Sequence, residues 1–449
     1  MLTSIVSAVV IFGVLVVVHE LGHFAMAKRL GVRVIRFSIG YPPKLFGIRR
    51  GETDYSFGAT PLGGYCRMLG DEVGEERGAE EISGFLEQVG LDIVTAARAH
   101  GMRSSGATEN DELLAIAQRL NQPGAPTTAK DLIGRELKPE EALLVEAIQQ
   151  TGNVESGIKQ VADRAPRSLV ESYEAQSFPT QPLWKRVMIV LGGPVSNIVF
   201  APVLLTIVFM LGVPIPLSVI GEVQKGTPAE AAGLRPGDIV TSIDRTPIDT
   251  WEKFSDTVRA SNGAKMNFTI KRKVDGKETV LTIPVKPVYE KVQPGTNGSA
   301  WIVGVKASGD ARIQRFGPIA AASQAVSSTV NITGQLVVGI ASIVTGSTPI
   351  RDALGGPIRI AQMAGQYAHQ GIANLAMFTV MLSIELGLIN LLPVPLLDGG
   401  HLLFFAFEGV RGKPLELRYR EMMLQVGLFL LVALIAFVMF NDISRLIQG

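Results

Sequence analysis

The chain has 449 residues, 47% of them hydrophobic and 18% charged, with a net charge of +1 and a positive mean hydropathy. Apolar material on that scale exceeds what soluble cores use and points to a membrane protein. The single cysteine, Cys66, excludes an intrachain disulfide and a zinc site built from several thiolates, and the lack of any Lys/Arg run or aromatic-interleaved basic stripe sets nucleic acid aside.

Residues 4–27 (SIVSAVVIFGVLVVVHELGHFAMA) form an apolar run long enough for a bilayer, which takes about 20 helical residues. A signal peptide is the alternative, because Ala25-Met26-Ala27 resembles a cleavage site; against it, no basic residue precedes the apolar core. Residues 32–70 hold Tyr/Phe/Ile stretches punctuated by Gly40, Pro42, Pro43, Gly51, Gly58 and Gly63-Gly64. They read as short strands joined by turns, a small sheet beside the membrane, with an unstructured basic loop as the alternative.

Residues 71–177 carry 10 Lys+Arg against 20 Asp+Glu, which leaves the rest of the chain at +11. They read as a small helical cytoplasmic insert, with a helix over Asp111–Leu120 after an Asn110 cap and Pro139 in a first helical turn; a disordered tether is the alternative. A second apolar span runs from Val187 to Leu211. Residues 218–288 alternate strand-like runs (SVIGEV, DIVTSID, MNFTIKR, TVLTIPV) with one helix near Trp251–Ala260, a compact β-rich module. From Gly317 to Gly371 come Ala/Ser/Val/Gly-rich amphipathic segments broken at Pro349 and Pro357, fit either to lie on the membrane surface or to pack against the spans.

Spans over Ile372–Leu392 and Met422–Phe440 complete a multi-pass α-helical membrane protein with four transmembrane helices, both termini on one side. Lys28, Arg29, Arg33, Arg36, Arg49, Arg50 and Arg67 follow the first span, Lys185 and Arg186 precede the second, and Arg411, Lys413, Arg418 and Arg420 lie between the third and fourth. The positive-inside rule makes these loops cytoplasmic and places the β-rich module outside.

Chemistry concentrates in two spans. His19-Glu20-Leu21-Gly22-His23 is HExxH, and on a helix the i, i+4 spacing sets both imidazoles on one face, able to share a zinc ion, with Glu20 beside them. Ionisable side chains inside an apolar span are costly unless paired, metal-bound or wet. A catalytic zinc takes a third protein ligand and keeps an open position. Asp398, where Pro393, Pro395 and Gly399-Gly400 break and loosen the third span, is the expected third ligand, with His401 as the competitor. Asn390 offers an amide donor to an oxyanion or to a substrate backbone, or serves as a helix-end cap.

HELGH in the first span, NLLPVPLLDGGH in the third and GGPVSN in the second resemble the site-2 proteases, in particular the bacterial regulator-of-sigma-E protease branch. The resemblance covers residues 1 to about 70 and about 178 to the end, including the tail FNDISRL. It implies four membrane spans, zinc held by His19, His23 and Asp398, Glu20 as general base, and Asn390 in substrate handling. It also implies that Gly193 and Asn197 shape the substrate path, where the residues alone read as a close helix-packing face. The stretch 32–70 becomes a membrane-associated β-loop offering an edge strand to an unwound substrate. PAEAAGLRPGDIVTSIDRTPI (228–248) resembles a PDZ domain; one is found where this branch often carries two, and the insert is longer than the usual connection. Glu385 stands where related sequences often have asparagine, and is expected near the polar site, adjusting its proton balance.

The expected organisation is a first span (1–31), β-loop (32–70), acidic helical insert (71–177), second span (178–213), PDZ domain (214–290), amphipathic connection (291–371), third span with LDGGH (372–401), and a loop with the fourth span (402–449). The implied function is an intramembrane zinc endopeptidase of the bacterial inner membrane, working toward the cytoplasmic side on single-span proteins in the lipid bilayer, such as anti-sigma factors, or on signal-peptide remnants. A metal permease is disfavoured by the lack of an evident internal repeat. A scaffold built on the PDZ module has no use for an intact Glu20.

Overall fold

Helix α1 (Leu2–Arg29) runs without proline or an acidic residue until Glu20, and Lys28 and Arg29 complement the negative end of its dipole. The computed structural model describes residues 2–70, 79–102, 108–120, 128–274, 277–291, 299–347 and 355–448. Two compact units result: residues 1–201, 356–369 and 378–449 form the first, and 202–355 and 370–377 the second.

In the first unit α1 is followed by β1 (Val34–Arg50) and β2 (Thr53–Met68). Both strands bend, so that Phe37 pairs with Tyr55 and with Cys66, while Ile48 pairs with Tyr55 on its other side. Four segments thus form one small sheet whose 64–68 segment is an edge. Gly40 (φ +90°) and Gly63 (φ +124°) supply conformations that other residues avoid, and so mark bends inside long strands rather than breaks between short ones.

Six helices follow: α2 (Ala79–Ala99), α3 (Glu109–Leu120), α4 (Ala129–Ile133), α5 (Pro139–Thr151), α6 (Val154–Arg164) and α7 (Arg167–Gln176). They enclose a core that includes Phe85, Leu86, Ile93, Ile116, Leu144 and Ile148, so a disordered tether does not describe this segment. Pro139 opens α5, as expected. The cap of α3 is Thr108, not Asn110: the Asp111 amide donates to the Thr108 hydroxyl, and Asn110 lies inside the helix. Two cap-forming residues, Thr108 and Asn110, two positions apart leave that choice to the backbone path. Asp92 of α2 ties the insert to the sheet, accepting from the buried Arg33 (2.5 Å) and from Arg49 (3.1 Å).

Helix α8 (Leu183–Leu211) packs antiparallel to α1. The Ser196 hydroxyl donates to the Val18 carbonyl, and a Cβ on Gly22 would run into the Gly192 backbone. After α8 leaves the first unit, the chain returns through α12 (Pro357–His369), α13 (Ile372–Asn390), α14 (Asp398–Arg411) and α15 (Leu417–Gln448). Ser383 of α13 donates to the Asn197 carbonyl of α8, and Gly387 lies against the Pro194 carbonyl, so α13 runs opposite to α8 and with α1. Near the end of α15, Asp442 accepts from the backbone of Gly356, Ile358 and Arg359 at 3.1, 3.1 and 3.2 Å, capping α12. Gly365 of α12 in turn sits on Ser4, so α15 ends where α1 begins.

The second unit holds β3 (Val213–Pro216), β4 (Ile220–Val223), α9 (Pro228–Ala231), β5 (Ile239–Ile243), β6 (Thr246–Pro247), α10 (Trp251–Arg259), β7 (Met266–Val274), β8 (Lys277–Val285), β9 (Val288–Lys291), β10 (Ser299–Ile302), β11 (Val305–Ala307) and β12 (Ala311–Gln314). The β-rich module read as 214–290 continues to Gln314: β10 pairs with β9, β11 with β4 and β12 with β3. These returning strands are three or four residues long, too short for alternation to register.

Helix α11 (Pro318–Val344) lies in the stretch read as amphipathic connection. Pro349, the expected break, falls outside the described residues. By length and composition five helices among the described residues qualify as membrane spans rather than four, and the additional one is Pro318–Ile343. Ser323, Gln324, Ser327, Ser328, Thr329, Asn331 and Thr333 dilute its first half, which is why the sequence reads as amphipathic.

Candidate active site

Helical periodicity puts His19 and His23 on one face of α1, turned toward α8 and the start of α14. The two Nε2 atoms are 3.3 Å apart. Asp398 closes the triangle, with Oδ2 3.1 Å from His19 Nε2 and Oδ1 3.5 Å from His23 Nε2. Oδ2 is buried and makes no hydrogen bond. A tetrahedral zinc with ligand bonds of about 2.0–2.1 Å separates neighbouring donor atoms by about 3.3 Å, so the three side chains fit that ion. His401 lines the same cavity but is not part of the converging group.

The chain break that delivers Asp398 is built from backbone. Helix α13 ends at Asn390, and Leu396 takes φ +82°, a region rarely open to a leucine. A Cβ on Gly399 would meet the Leu391 and Leu392 carbonyls, and one on Gly400 the Val394 carbonyl. The Gly399-Gly400 pair is therefore required for α14 to restart tightly against the turn, with Asp398 as its first residue.

The two histidines are held from behind. His23 Nδ1 lies 2.9 Å from the Ile189 carbonyl, an acceptor that puts the ring proton on Nδ1 and leaves the Nε2 lone pair for metal. Gly193 faces both imidazoles: a Cβ there would fall on His23 Nε2 and Cε1 and on His19 Cε1. Asn197, fully buried, lies one turn further, its Nδ2 3.3 Å from His19 Nδ1. These contacts match the helix-packing reading of Gly193 and Asn197 and add direct contact with the histidines.

A cavity of about 400 Å³ opens over the triad, lined among others by Glu20, Tyr65, Cys66, Leu386 and Asn390. Gly64 of the edge segment packs on Glu20, where a Cβ would stand 3.3 Å from its Cγ. Glu385 does not line the cavity; its neighbour Leu386 does, so the expectation that Glu385 adjusts the site is not supported by its position. Sequence reasoning did not place Tyr65, Cys66 or the Ile189 carbonyl at the site. The Gly63-Gly64 pair was the available signal for the first two, and a backbone acceptor leaves no signal at all.

Comparison with known proteins follows the same lines. The family model described as Peptidase family M50 matches residues 7–434. The zinc metalloprotease RasP of Geobacillus kaustophilus is 33% identical, covering 99% of this chain and 98% of its own length. The regulator of sigma-W protease RasP of Bacillus subtilis and the protease RseP of Yersinia pestis are each 30% identical, covering 99% of both chains.

Proposed function

Because this chain belongs to peptidase family M50, the site-2 protease family, and is an intramembrane zinc metalloprotease, we propose that His19, His23 and Asp398 hold its metal and that Glu20 is its general base. The observation that carries this reading is the meeting of three donor atoms from α1 and α14 at the spacing of a tetrahedral edge. Zinc bound there supplies Lewis-acid chemistry, polarising a carbonyl and acidifying a water. Glu20 takes the proton of the attacking water and returns it to the leaving amine. Asn390, on the cavity wall, donates an amide N–H to the scissile segment.

A helical substrate has its carbonyls hydrogen-bonded within the helix and must be extended before attack. The edge segment 64–68, paired on one side with β1 and lining the cavity, is suited to hold it by β-strand addition. Four spans fit the helix directions. Helices α8 and α13 run opposite ways through one site, which allows no crossing or two between them, and α11 is the only qualifying helix there among the described residues. The Lys/Arg-rich ends of α1, α8 and α15 then face the cytoplasm of a bacterial inner membrane, and the β-rich, PDZ-like unit faces outward. Substrates of this reading are single-span proteins already cut outside, anti-sigma factors among them, in keeping with a relative named as a sigma-W regulator protease.

The test is bound zinc and cleavage of a single-span substrate by the full chain in detergent. Glu20→Gln keeps zinc and loses cleavage; Asp398→Ala loses both. Cleavage by Glu20→Gln, or full zinc in Asp398→Ala, rejects the assignment.

A further inference from the structure

We infer that Asn197 is a positioning residue for His19, an amide behind Nδ1 that accepts the ring proton when Nε2 binds metal, rather than a substrate-binding residue. The inference rests on the metal assignment above. Asn197 is fully buried in α8, and its Oδ1 is buried without a hydrogen bond. Its Nδ2 stands 3.3 Å from His19 Nδ1. Asn197 is not part of the cavity wall, so a bound segment has no direct access to its amide.

The donor inventory turns this contact into a choice of tautomer. A neutral imidazole carries one N–H, and whichever nitrogen bears it cannot also offer a lone pair. With the asparagine N–H directed at Nδ1, the proton of His19 belongs on Nε2, the nitrogen that faces Asp398 and His23. Metal binding through Nε2 requires the reverse: Nδ1 must carry the proton and donate to an acceptor. A half-turn of the Asn197 amide supplies one, bringing the otherwise unsatisfied Oδ1 onto Nδ1–H. The amide serves both tautomers, which neither a carbonyl nor an aliphatic side chain does.

His19 and His23 are thereby treated differently. His23 has the fixed Ile189 carbonyl behind it and keeps one tautomer. His19 has a rotatable amide, carried on a backbone that is anchored where the Asn197 main-chain carbonyl accepts from Ser383 of α13. Outer partners of this kind typically contribute about 10–100-fold to metal affinity.

The experiment uses the full chain in detergent micelles and reads zinc affinity by competition with a chromophoric chelator, together with the visible absorption spectrum of the cobalt(II)-substituted protein. Asn197→Leu is expected to weaken zinc binding by about 10–100-fold and to shift the cobalt bands. Asn197→Asp, which keeps an acceptor at the same place, is expected to retain near-wild-type affinity. Unchanged zinc affinity and an unchanged cobalt spectrum in Asn197→Leu, with lower cleavage, overturn the inference in favour of a substrate role. Equal loss of affinity in the leucine and aspartate variants overturns it in favour of packing alone. If Asn197→Leu does not fold, as read by gel filtration, the aspartate variant alone decides: retained affinity supports the inference and lost affinity rejects it. Failure of the metal assignment itself shows separately, as wild-type protein that binds no zinc.

Discussion

The metal corner and the helical insert are packed by opposite means. Around the triad, backbones approach through Gly22 and Gly192 and through Gly387 and Pro194, with polar side chains bonded between helices. In the insert, Phe85, Leu86, Ile116, Leu144 and Ile148 fill the space between short helices. The difference follows the solvent. Lipid gives apolar side chains no reason to leave it, so spans associate by close contact and hydrogen bonds. Water expels them, at about 25 cal/mol for each Å² buried. The corner should therefore be sensitive to added atoms and the insert to removed ones.

The strongest test of that contrast is Gly193→Ala. One methyl group enters the space of both imidazoles, and displacing them is expected to remove zinc and lower cleavage about 100-fold, while gel filtration stays unchanged. Full zinc occupancy in this variant would break the comparison. Next comes the joint between insert and sheet: Asp92→Ala leaves the buried Arg33 uncompensated and should cost about 3–5 kcal/mol in the opening free energy of α2, measured by hydrogen exchange. Leu144→Ala should cost about 2–5 kcal/mol by the same measurement within the insert, with zinc content unaffected. Loss of zinc there would mean that the two regions are coupled.

The smallest effect is at the α4 cap, where Thr128 and Asp131 bond reciprocally. Thr128→Ala should cost about 1 kcal/mol. Bonding to the Thr128 amide and hydroxyl holds Asp131 below the ordinary carboxylate value. The cap is therefore complete above that ordinary value and is lost as pH falls through the lowered one, which exchange rates in α4 would report.

Much of the site could be read from the chain because its parts are local. HELGH specifies its geometry through helical periodicity alone, and Pro393, Pro395 and Gly399-Gly400 announce a break beside Asp398. Other parts depended on neighbours. Residues 299–314 look like connection until β3, β4 and β9 provide partners, and Thr108 outcompetes Asn110 only once the backbone path is set. Glu385 and Leu386 are adjacent in sequence, yet only Leu386 lines the cavity, a matter of helix rotation that the nearly uniform apolarity of α13 does not encode.

What the sequence determined by itself was the set of side chains: two imidazoles one turn apart, a glutamate between them, a carboxylate at a broken span, and apolar runs of bilayer length. These depend on spacing along single elements. What the tertiary structure decided was the geometry between elements: the 3.1–3.5 Å convergence on Asp398, the glycines that let α8 reach α1, the Ile189 carbonyl behind His23 and the Asn197 amide behind His19. Contacts between distant segments depend on how helices cross and rotate, and no local pattern in the chain records that.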